Sequence, residues 1–365
     1  MPGFQVQTAG ITALQLGVSA LVCCAGAMLA GATDSLSDSQ AQAQIMAVFD
    51  GLDVLPPAIP DPPLRRQYLE MLDSVCLYES APDSPPIRAA FEARMAKALA
   101  EVQAAKVDSG AAVWMLYNAG VIVRTPTVTV GFDLVRGKMG IRDDAMQQFV
   151  SQCDVLFISH DHGDHADDWV RDQFLAQGKP VVAPLSVWPE NGRLTRLTRQ
   201  PQLRQELAVQ GGRRTIEVVV YPGHQGDTEN NVYCVYTPDR LGIMHTGDQA
   251  NDPDFAWIDR IKDAPGRVDV LIPNCWSFDI ARLVRGVNPR VVLPVHHLEM
   301  SHESSWRQTY AQTYGRYDGT NTSFGGTLGQ GYQAYPMSAL AWGEMIAVPA
   351  PGPATQGTSA PASKP

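Results

Sequence analysis

The sequence from Ala111 onwards predicts an α/β domain, on two observations. Segments rich in Val, Ile, Phe and Tyr alternate with segments of helical periodicity, which is the pattern of strands and helices in turn. Clusters of histidine and aspartate also follow several of the predicted strands, where functional groups of α/β proteins commonly lie. With 365 residues, the chain has room for one large α/β domain with an appendage, or for two ordinary domains.

The elements of this domain, which we place at residues 111–347, follow from the local patterns. Strands are predicted at 112–117, 121–124, 127–132, 155–159, 179–183, 215–221, 232–237, 242–245, 268–272 and 291–295. Helices are predicted at 143–150, 167–177, 202–209 and near 278–285. Residues 348–365 are rich in Pro, Ala, Ser, Thr and Gly with a single charge, which predicts a disordered tail.

Residues 1–32 predict a signal peptide or a membrane anchor. No charged side chain precedes Asp34, and a run of small and apolar residues ends in an Ala-Gly-Ala sequence that resembles a cleavage site. The basic residues of a typical signal peptide are missing, since Arg65 is the first Lys or Arg, so a misassigned start is an alternative. We expect a periplasmic or secreted protein, with a cytoplasmic one as the alternative. Membrane contact is expected only through an uncleaved N-terminus.

Residues 33–110 predict a helical extension interrupted by proline. A short polar helix is expected at 36–50, and the proline-rich segment 55–63 is expected to be an extended linker. Residues 87–106 have apolar side chains at i, i+4 spacing on an alanine-rich background, which predicts a packing or capping helix. The role of the extension stays open between a lid over the site and a dimerisation arm.

The overall charge argues against a nucleic-acid partner. The net charge is −10 and the pI is about 5.2, whereas phosphate binding needs a basic face. Between Arg193 and Arg214, six arginines accompany one acid, Glu206. This segment is either a solvated helix face or a basic rim that attracts an anionic small-molecule substrate.

Residues 159–165 form the densest group of metal-ligand side chains in the chain. This segment contains His160, His162 and His165 together with two aspartates, and it follows an apolar predicted strand. Imidazole and carboxylate are the ligands preferred by borderline and hard divalent cations. His160 and His162 are two residues apart, so at a strand end they point to the same side. Asp164 and His165 follow a glycine and are expected to face a neighbouring position.

Three later strand ends offer further ligands. His224 follows the predicted strand 215–221, and Asp248 follows the predicted strand 242–245. His296 and His297 come directly after the predicted strand 291–295. Taken alone, each of these residues is more often a structural hydrogen-bonding group, and Asp248 is also a suitable helix cap. Their joint occurrence after the loop 159–165 is what predicts a shared metal site.

With these motifs, residues 111–315 resemble the metallo-β-lactamase superfamily. The His-x-His-x-Asp-His signature and the later His, Gly-Asp and Pro-x-His motifs occur in the family's order. The resemblance implies an α/β fold of the αββα four-layer sandwich type. The opening segment 114–120 is most similar to the branch that includes L-ascorbate-6-phosphate lactonase and N-acyl phosphatidylethanolamine phospholipase D. Those two members cleave different bonds, so the branch constrains the fold more than the substrate.

The resemblance also implies the role of each ligand. The first ion would be bound by His160, His162 and His224, the second by Asp164, His165 and His296, with Asp248 bridging both. Asp133, at the end of an early strand, would support the metal loop by hydrogen bonds. Zinc suits these ligands, with manganese or iron as alternatives.

A hydroxide between the two ions is the nucleophile that the resemblance implies. Asp164 and Asp248 would be the catalytic residues that orient it, and one of them would pass a proton to the leaving group. Only the family's Pro-x-His spacing favours His296 over His297 as the last ligand. His245 is interpreted as a supporting or core residue.

Asn274 and Trp276 follow the predicted strand 268–272 and are our candidates for substrate contacts, although Trp276 equally suits packing under the next helix. The predicted function is that of a dinuclear-metal hydrolase acting on a small ester, lactone or phosphodiester. The alternatives are a nucleic-acid-processing nuclease of the same superfamily and a non-catalytic metal-binding protein. A di-iron oxidoreductase is disfavoured, because such relatives replace a loop histidine with an acid.

Overall fold

The structure is a computed structural model that describes residues 37–76, 83–137, 140–297, 308–320 and 335–351. The predicted signal peptide lies outside the described residues, as do residues 352–365 of the predicted tail. Among the described residues, no helix combines the length and the apolar character needed to cross a bilayer.

In the described part of the chain, twelve strands form two six-stranded sheets. In chain order they are β1 (Ala111–Met115), β2 (Val121–Arg124), β3 (Thr129–Phe132), β4 (Val155–Phe157), β5 (Val181–Val182), β6 (Gln205–Val209), β7 (Arg214–Gln225), β8 (Thr228–Tyr236), β9 (Gly242–His245), β10 (Val270–Ile272), β11 (Val291–Val292) and β12 (Met345–Val348). The first sheet has the order β12-β1-β2-β3-β4-β5, and the second has the order β11-β10-β9-β8-β7-β6. Strands β3, β4 and β5 are parallel, and so are β9, β10 and β11, while the remaining neighbours are antiparallel.

Eight α-helices lie in the described part of the chain. They are α1 (Asp38–Val54), α2 (Pro63–Cys76), α3 (Pro85–Ala104), α4 (Asp143–Gln152), α5 (Asp168–Ala176), α6 (Phe255–Ile258), α7 (Ile280–Val287) and α8 (Tyr310–Asp318). Helix α1 begins with a capping box, in which Ser37 accepts from the amide of Gln40 and the Gln40 side chain accepts from the amide of Ser37.

Two separate apolar cores define the layers. Alternate residues of both sheets, such as Val113 and Phe132 in the first and Val218 and Ile243 in the second, form one core between the sheets. The intervening residues on the outer faces pack with the helices in a second core, which includes Trp114. Because a strand points successive side chains to opposite faces, both faces of each sheet are apolar and covered except at the edge strands β6 and β12. The predicted αββα sandwich is therefore confirmed.

The predicted helical N-terminal extension is present and packs onto this sandwich. Phe91 of α3 makes edge-to-face contacts with Tyr117 and with Trp342, at centroid distances of 5.7 Å and 5.4 Å. Phe49 of α1 also contacts Trp342, at 6.1 Å. The segment 55–62 is a connection without helix or strand, as expected for the proline-rich linker, but the helix α2 that follows was not predicted.

One predicted helix is wrong. Residues 202–209 contain the edge strand β6, which pairs with β7 in antiparallel register from Gln205 opposite Val218 to Val209 opposite Arg214. Within it Leu207 and Val209 are buried while Glu206 and Ala208 are exposed, so the true periodicity is two. Strand β12 was also not predicted, and its last residue, Val348, pairs with Ala111 and overlaps the start of the predicted tail.

A buried ion network joins the N-terminal extension to the C-terminal segment. Arg65 of α2 donates through Nε to Asp61 at 2.8 Å and through both Nη atoms to the carboxylate of Glu344. The carboxylate of Asp61 also accepts from the Tyr314 hydroxyl at 2.7 Å and from the amide of Ala339 at 2.7 Å. Since these groups are buried, removing one charge leaves the others uncompensated.

We therefore expect Arg65→Met to destabilise the protein by about 3–5 kcal/mol, because it removes the cation 2.8 Å from the buried Asp61 and leaves Glu344 with the more distant Arg94, at 3.9 Å. The measurement is urea unfolding followed by circular dichroism. Arg142→Met is the control, since Arg142 pairs with Asp144 on the exposed surface and its loss should leave the midpoint unchanged. Equal midpoints for Arg65→Met and the wild type would contradict a stabilising role of the network.

Candidate metal centre

The candidate site lies at one rim of the sandwich. The parallel strands of the first sheet lead at their carboxyl ends into Asp133 after β3 and into the loop 159–165 after β4. Those of the second sheet lead into Asp248 after β9 and His296 after β11. Because parallel strands end at the same edge, side chains from distant parts of the sequence meet there.

Six of the seven predicted ligands form two clusters. The first contains His160, His162 and Asp248, and the second contains Asp164, His165 and His296. Within each cluster, one potential ligand atom per residue lies within 4.8 Å of those of the other two. His224 belongs to neither cluster.

Asp248 connects the two clusters. Its Oδ2 atom is 3.7 Å from Nε2 of His160 and 3.4 Å from Nε2 of His165, and its Oδ1 atom is 3.1 Å from Nε2 of His296. The backbone amide of Asp248 donates to the Asn230 side chain at 3.0 Å, which fixes the carboxylate between the clusters. One carboxylate thus faces histidines of both clusters, as expected for a bridging ligand.

The donor set fits divalent cations. Nε2 of His160 lies 2.9 Å from Nδ1 of His162, and Nε2 of His165 lies 2.9 Å from Nε2 of His296. Ligand atoms about 2.0–2.1 Å from a tetrahedral zinc ion would be roughly 3.3 Å apart. The separations of 2.9–3.7 Å among these atoms are close to that value. Imidazole nitrogens and carboxylate oxygens gathered in this way suit zinc, manganese or iron.

Asp133 anchors the loop 159–165, as the resemblance implied. Its Oδ1 atom accepts from the amide of Ser159 at 2.7 Å, and its Oδ2 atom accepts from the Ser159 hydroxyl at 2.6 Å and faces Nδ1 of His165 at 2.8 Å. A proton on Nδ1 of His165 leaves the lone pair of Nε2 directed into the second cluster. A buried carboxylate therefore sets both the orientation and the tautomer of a candidate ligand.

The charges of the site favour ionised carboxylates. Burial would raise the pKa of Asp248, but His296 and His165 hold it well below its usual range. Burial and the neighbouring His165 lower the pKa of His160 to about 3, so its imidazole is neutral at pH 7. Burial would likewise lower the pKa of His165, yet Asp248, Asp164 and Asp133 raise it well above its usual value. A cation bound among these carboxylates would therefore have to replace the proton on Nε2 of His165, while the proton on Nδ1 stays directed at Asp133.

His224 is held by a different carboxylate. Its Nδ1 atom lies 2.9 Å from Oδ1 of Asp254, and its backbone amide donates to Oδ2 of Asp254 at 2.9 Å. This contact places the proton on Nδ1 and leaves Nε2 as the possible ligand atom. The side chain of His224 is 40% exposed, in contrast to the buried His160. Its assignment as a ligand of the first ion stays a prediction, and Asp254 is a supporting residue that we did not predict.

The structure separates the two adjacent histidines at 296 and 297. His296 points into the second cluster, whereas the ring of His297 stacks on Tyr310 at 4.2 Å. His245 lies in the core, stacked on Phe132 at 5.0 Å, with Nε2 at 3.0 Å from the carbonyl oxygen of Ala119. His296 is thus the one of the two adjacent histidines that faces a cluster, and its role as a ligand stays a prediction. His245 lies where a structural residue would.

The two candidate substrate residues differ in their surroundings. Asn274 is fully buried, and its side chain donates to the carbonyl oxygen of Gln249 at 3.0 Å, so it supports the neighbouring loop. Trp276 is half-buried, and its indole N–H lies 3.4 Å from Nδ1 of His296, with the two rings nearly perpendicular. Trp276 thus borders the second cluster, while Asn274 lies behind it.

The arginines between residues 193 and 214 do not lie on a helix. The guanidinium of Arg196 donates to four backbone carbonyl oxygens, Arg199 pairs with Glu229 at 3.0 Å, and Arg204 pairs with Glu217 at 2.7 Å. Arg193 likewise donates to the carbonyl oxygen of Leu175 at 2.9 Å, so at least four of the six arginines bind other parts of this chain. The interpretation as a solvated helix face is wrong, and the basic-rim hypothesis gains no support from these four residues.

Comparisons with known proteins found similar structures only. No protein-family model and no curated protein matches the sequence significantly. Igni18, a metallo hydrolase from Ignicoccus hospitalis, is 12% identical with a TM-score of 0.49, over 65% of this chain and 98% of that chain. The metallo-β-lactamase fold protein YhfI from Bacillus subtilis is 12% identical with a TM-score of 0.40, over 66% and 99%. CmlA, a diiron β-hydroxylase from Streptomyces venezuelae, is 13% identical with a TM-score of 0.45, over 67% and 55%.

Similarity at this level does not assign a reaction to this chain. The reaction has to be inferred from the chain's own residues and their geometry.

We expect Asp133→Asn to weaken binding of divalent cations by about 10–100-fold, because an amide has one acceptor oxygen and cannot accept both from the Ser159 backbone amide at the Oδ1 position and from Nδ1 of His165 at the Oδ2 position. The measurement is competition with a chromogenic zinc chelator. Asp144→Asn, at an exposed position on α4, is the control and should bind zinc as the wild type does. Wild-type affinity in Asp133→Asn would show that Asp133 does not control the loop.

Proposed function

We propose that this protein is a dinuclear-metal hydrolase that acts on a small ester, lactone or phosphodiester. The single observation that carries the proposal is the position of Asp248, which belongs to the first cluster and whose carboxylate also faces His165 and His296 of the second. Two divalent ions held there would lower the pKa of water to supply a nucleophile at neutral pH and would polarise the oxygen of the scissile bond. The chain's own residues have three tasks in such a reaction, namely binding, orientation and proton transfer.

The two catalytic aspartates differ in their access to solvent. Asp248 is 3% exposed and faces histidines of both clusters, so its task is to hold the two sites at a fixed separation. Asp164 is 21% exposed, and its Oδ2 atom faces Nε2 of His165 at 3.6 Å and Nε2 of His296 at 3.4 Å. A carboxylate that borders both the ligands and the solvent is suited to take a proton from water and pass it to a leaving group. We assign that role to Asp164.

The open side of the site defines where a substrate would approach. His162 and Asp164 are the cluster residues accessible from solvent, and the half-buried Trp276 borders the second cluster next to His296. An indole face beside the reacting atoms suits an apolar or planar part of the substrate. We therefore propose Trp276 as a substrate-contacting residue and Asn274 as a support for the loop behind it. The net charge of −10 disfavours the alternative of a nuclease.

The test uses the full chain, purified and loaded with zinc, manganese or iron, against chromogenic esters, lactones, β-lactams and bis-phosphodiesters. We expect two metal ions per chain and turnover of at least one substrate class. Asp164→Ala should lower kcat by at least about 100-fold, since general acid–base groups contribute roughly 10²–10⁴-fold.

Asp161→Ala is the matched control, because Asp161 is exposed in the same loop but belongs to neither cluster. Its turnover should equal that of the wild type. A protein that retains no metal at neutral pH would exclude the proposed function. Two bound ions without turnover of any substrate class would instead favour a non-catalytic metal-binding protein.

A further inference from the structure

Asn118 occupies the tight turn between β1 and β2 at the same rim as the metal clusters. It is fully buried and has a left-handed backbone with φ of 61°. Asparagine adopts this conformation more readily than most residues, and glycine adopts it without strain. The turn therefore requires a residue such as Asn or Gly, but it does not by itself require a side-chain amide.

The side chain of Asn118 is directed at Asp164. Its Nδ2 atom donates to Oδ2 of Asp164 at 3.0 Å and to the backbone oxygen of Asp164 at 3.1 Å. Nδ2 of Asn118 is also 3.5 Å from Nε2 of His296. The backbone carbonyl oxygen of Asn118 accepts from the backbone amide of His296 at 3.1 Å. One residue therefore contacts two of the three members of the second cluster, from two different strand ends.

The oxygen that Asn118 contacts is the one that faces the cluster. Oδ2 of Asp164 is the atom 3.6 Å from Nε2 of His165 and 3.4 Å from Nε2 of His296. A carboxylate oxygen has two lone pairs, so a donor on one side leaves the other side for a cation. Since Asp164 is 21% exposed, its side chain has water as an alternative partner, and a buried donor is what keeps Oδ2 turned inwards.

We infer that Asn118 is a positioning residue that turns Asp164 into a ligand of the second cluster and so determines whether this cluster binds its ion. The inference rests on the proposed function, since it assumes that both clusters bind metal. Asn118 acts through Asp164 and need not touch the substrate. Its effect should therefore appear in the affinity of one ion and not of both.

Asn118→Gly tests the side chain alone, because glycine tolerates the left-handed backbone and should leave the thermal midpoint near that of the wild type. The readout is titration of the metal-free protein with cobalt(II), followed by its visible absorption, and competition of zinc with a chelator. We expect the second equivalent to bind about 10–100-fold more weakly than in the wild type, with the first unchanged. Turnover should fall in the same variant and recover at high metal concentration.

Two further variants sharpen the test. Asn288→Gly is the control, because Asn288 also has a left-handed backbone, with φ of 54°, but caps α7 on the exposed surface. Its metal titration should match that of the wild type. If Asn118 acts through Asp164, adding Asn118→Gly to Asp164→Ala should weaken the second ion by less than about twofold more, a strongly non-additive result.

The outcomes separate this inference from the proposed function. A wild-type protein that binds fewer than two ions excludes the proposed function and, with it, this inference. If the wild type binds two ions and Asn118→Gly binds them with equal affinity, only the inference is wrong. Equal weakening of both ions together with a lower thermal midpoint would indicate a general role in folding and would also overturn it.

Discussion

The candidate site depends on the hydrogen bonds that the buried carboxylate of Asp133 accepts from the loop 159–165. A buried carboxylate without partners costs several kcal/mol, so the fold must supply donors to it. Here the donors are Ser159 and His165, both in the loop that follows the neighbouring strand β4. The requirement to satisfy one charge thus fixes the path of a seven-residue loop. The directions of His160 and His165 follow from that path, and with them the positions of both clusters.

Strand topology explains why the remaining ligands are so far apart in sequence. Asp248 and His296 follow β9 and β11, two parallel strands of the second sheet, whereas the loop 159–165 belongs to the first. The site is therefore assembled across the interface between the sheets. Its integrity depends on the apolar core that holds them together, which includes Phe132 and Ile243. A loss of packing in this core would move Asp248 and His296 away from the loop residues of their clusters without changing any ligand.

The features that could be predicted best from the sequence are those that depend on a local pattern of residues. The strand ends and the loop 159–165 carry a dense, ordered signature, so the sequence alone singles out the six residues that lie together in the two clusters, and their role as ligands stays a prediction. Strand β6 was mistaken for a helix because its polar residues hid a period of two that becomes clear only when β7 pairs with it. Asn118 and Asp254 escaped prediction for another reason. An amide in a turn and an acid thirty residues from its histidine partner have no local signal, and only the tertiary contacts reveal them.

The contrast between Asp248 and Asp164 explains why the site needs supporting residues of two kinds. Asp248 is enclosed, and its orientation is set by the contact of its amide with Asn230 and by the Gln225 side chain, which donates to Oδ2 at 3.1 Å. Asp164 must stay accessible if it is to exchange a proton with a substrate, so packing cannot fix it. The directed donor from Asn118 supplies orientation without enclosure. Asp164 cannot be both accessible to solvent and held by packing. A substitution at Asn118 should therefore change the orientation of the Asp164 carboxylate more than any substitution at Gln225 changes that of the buried Asp248.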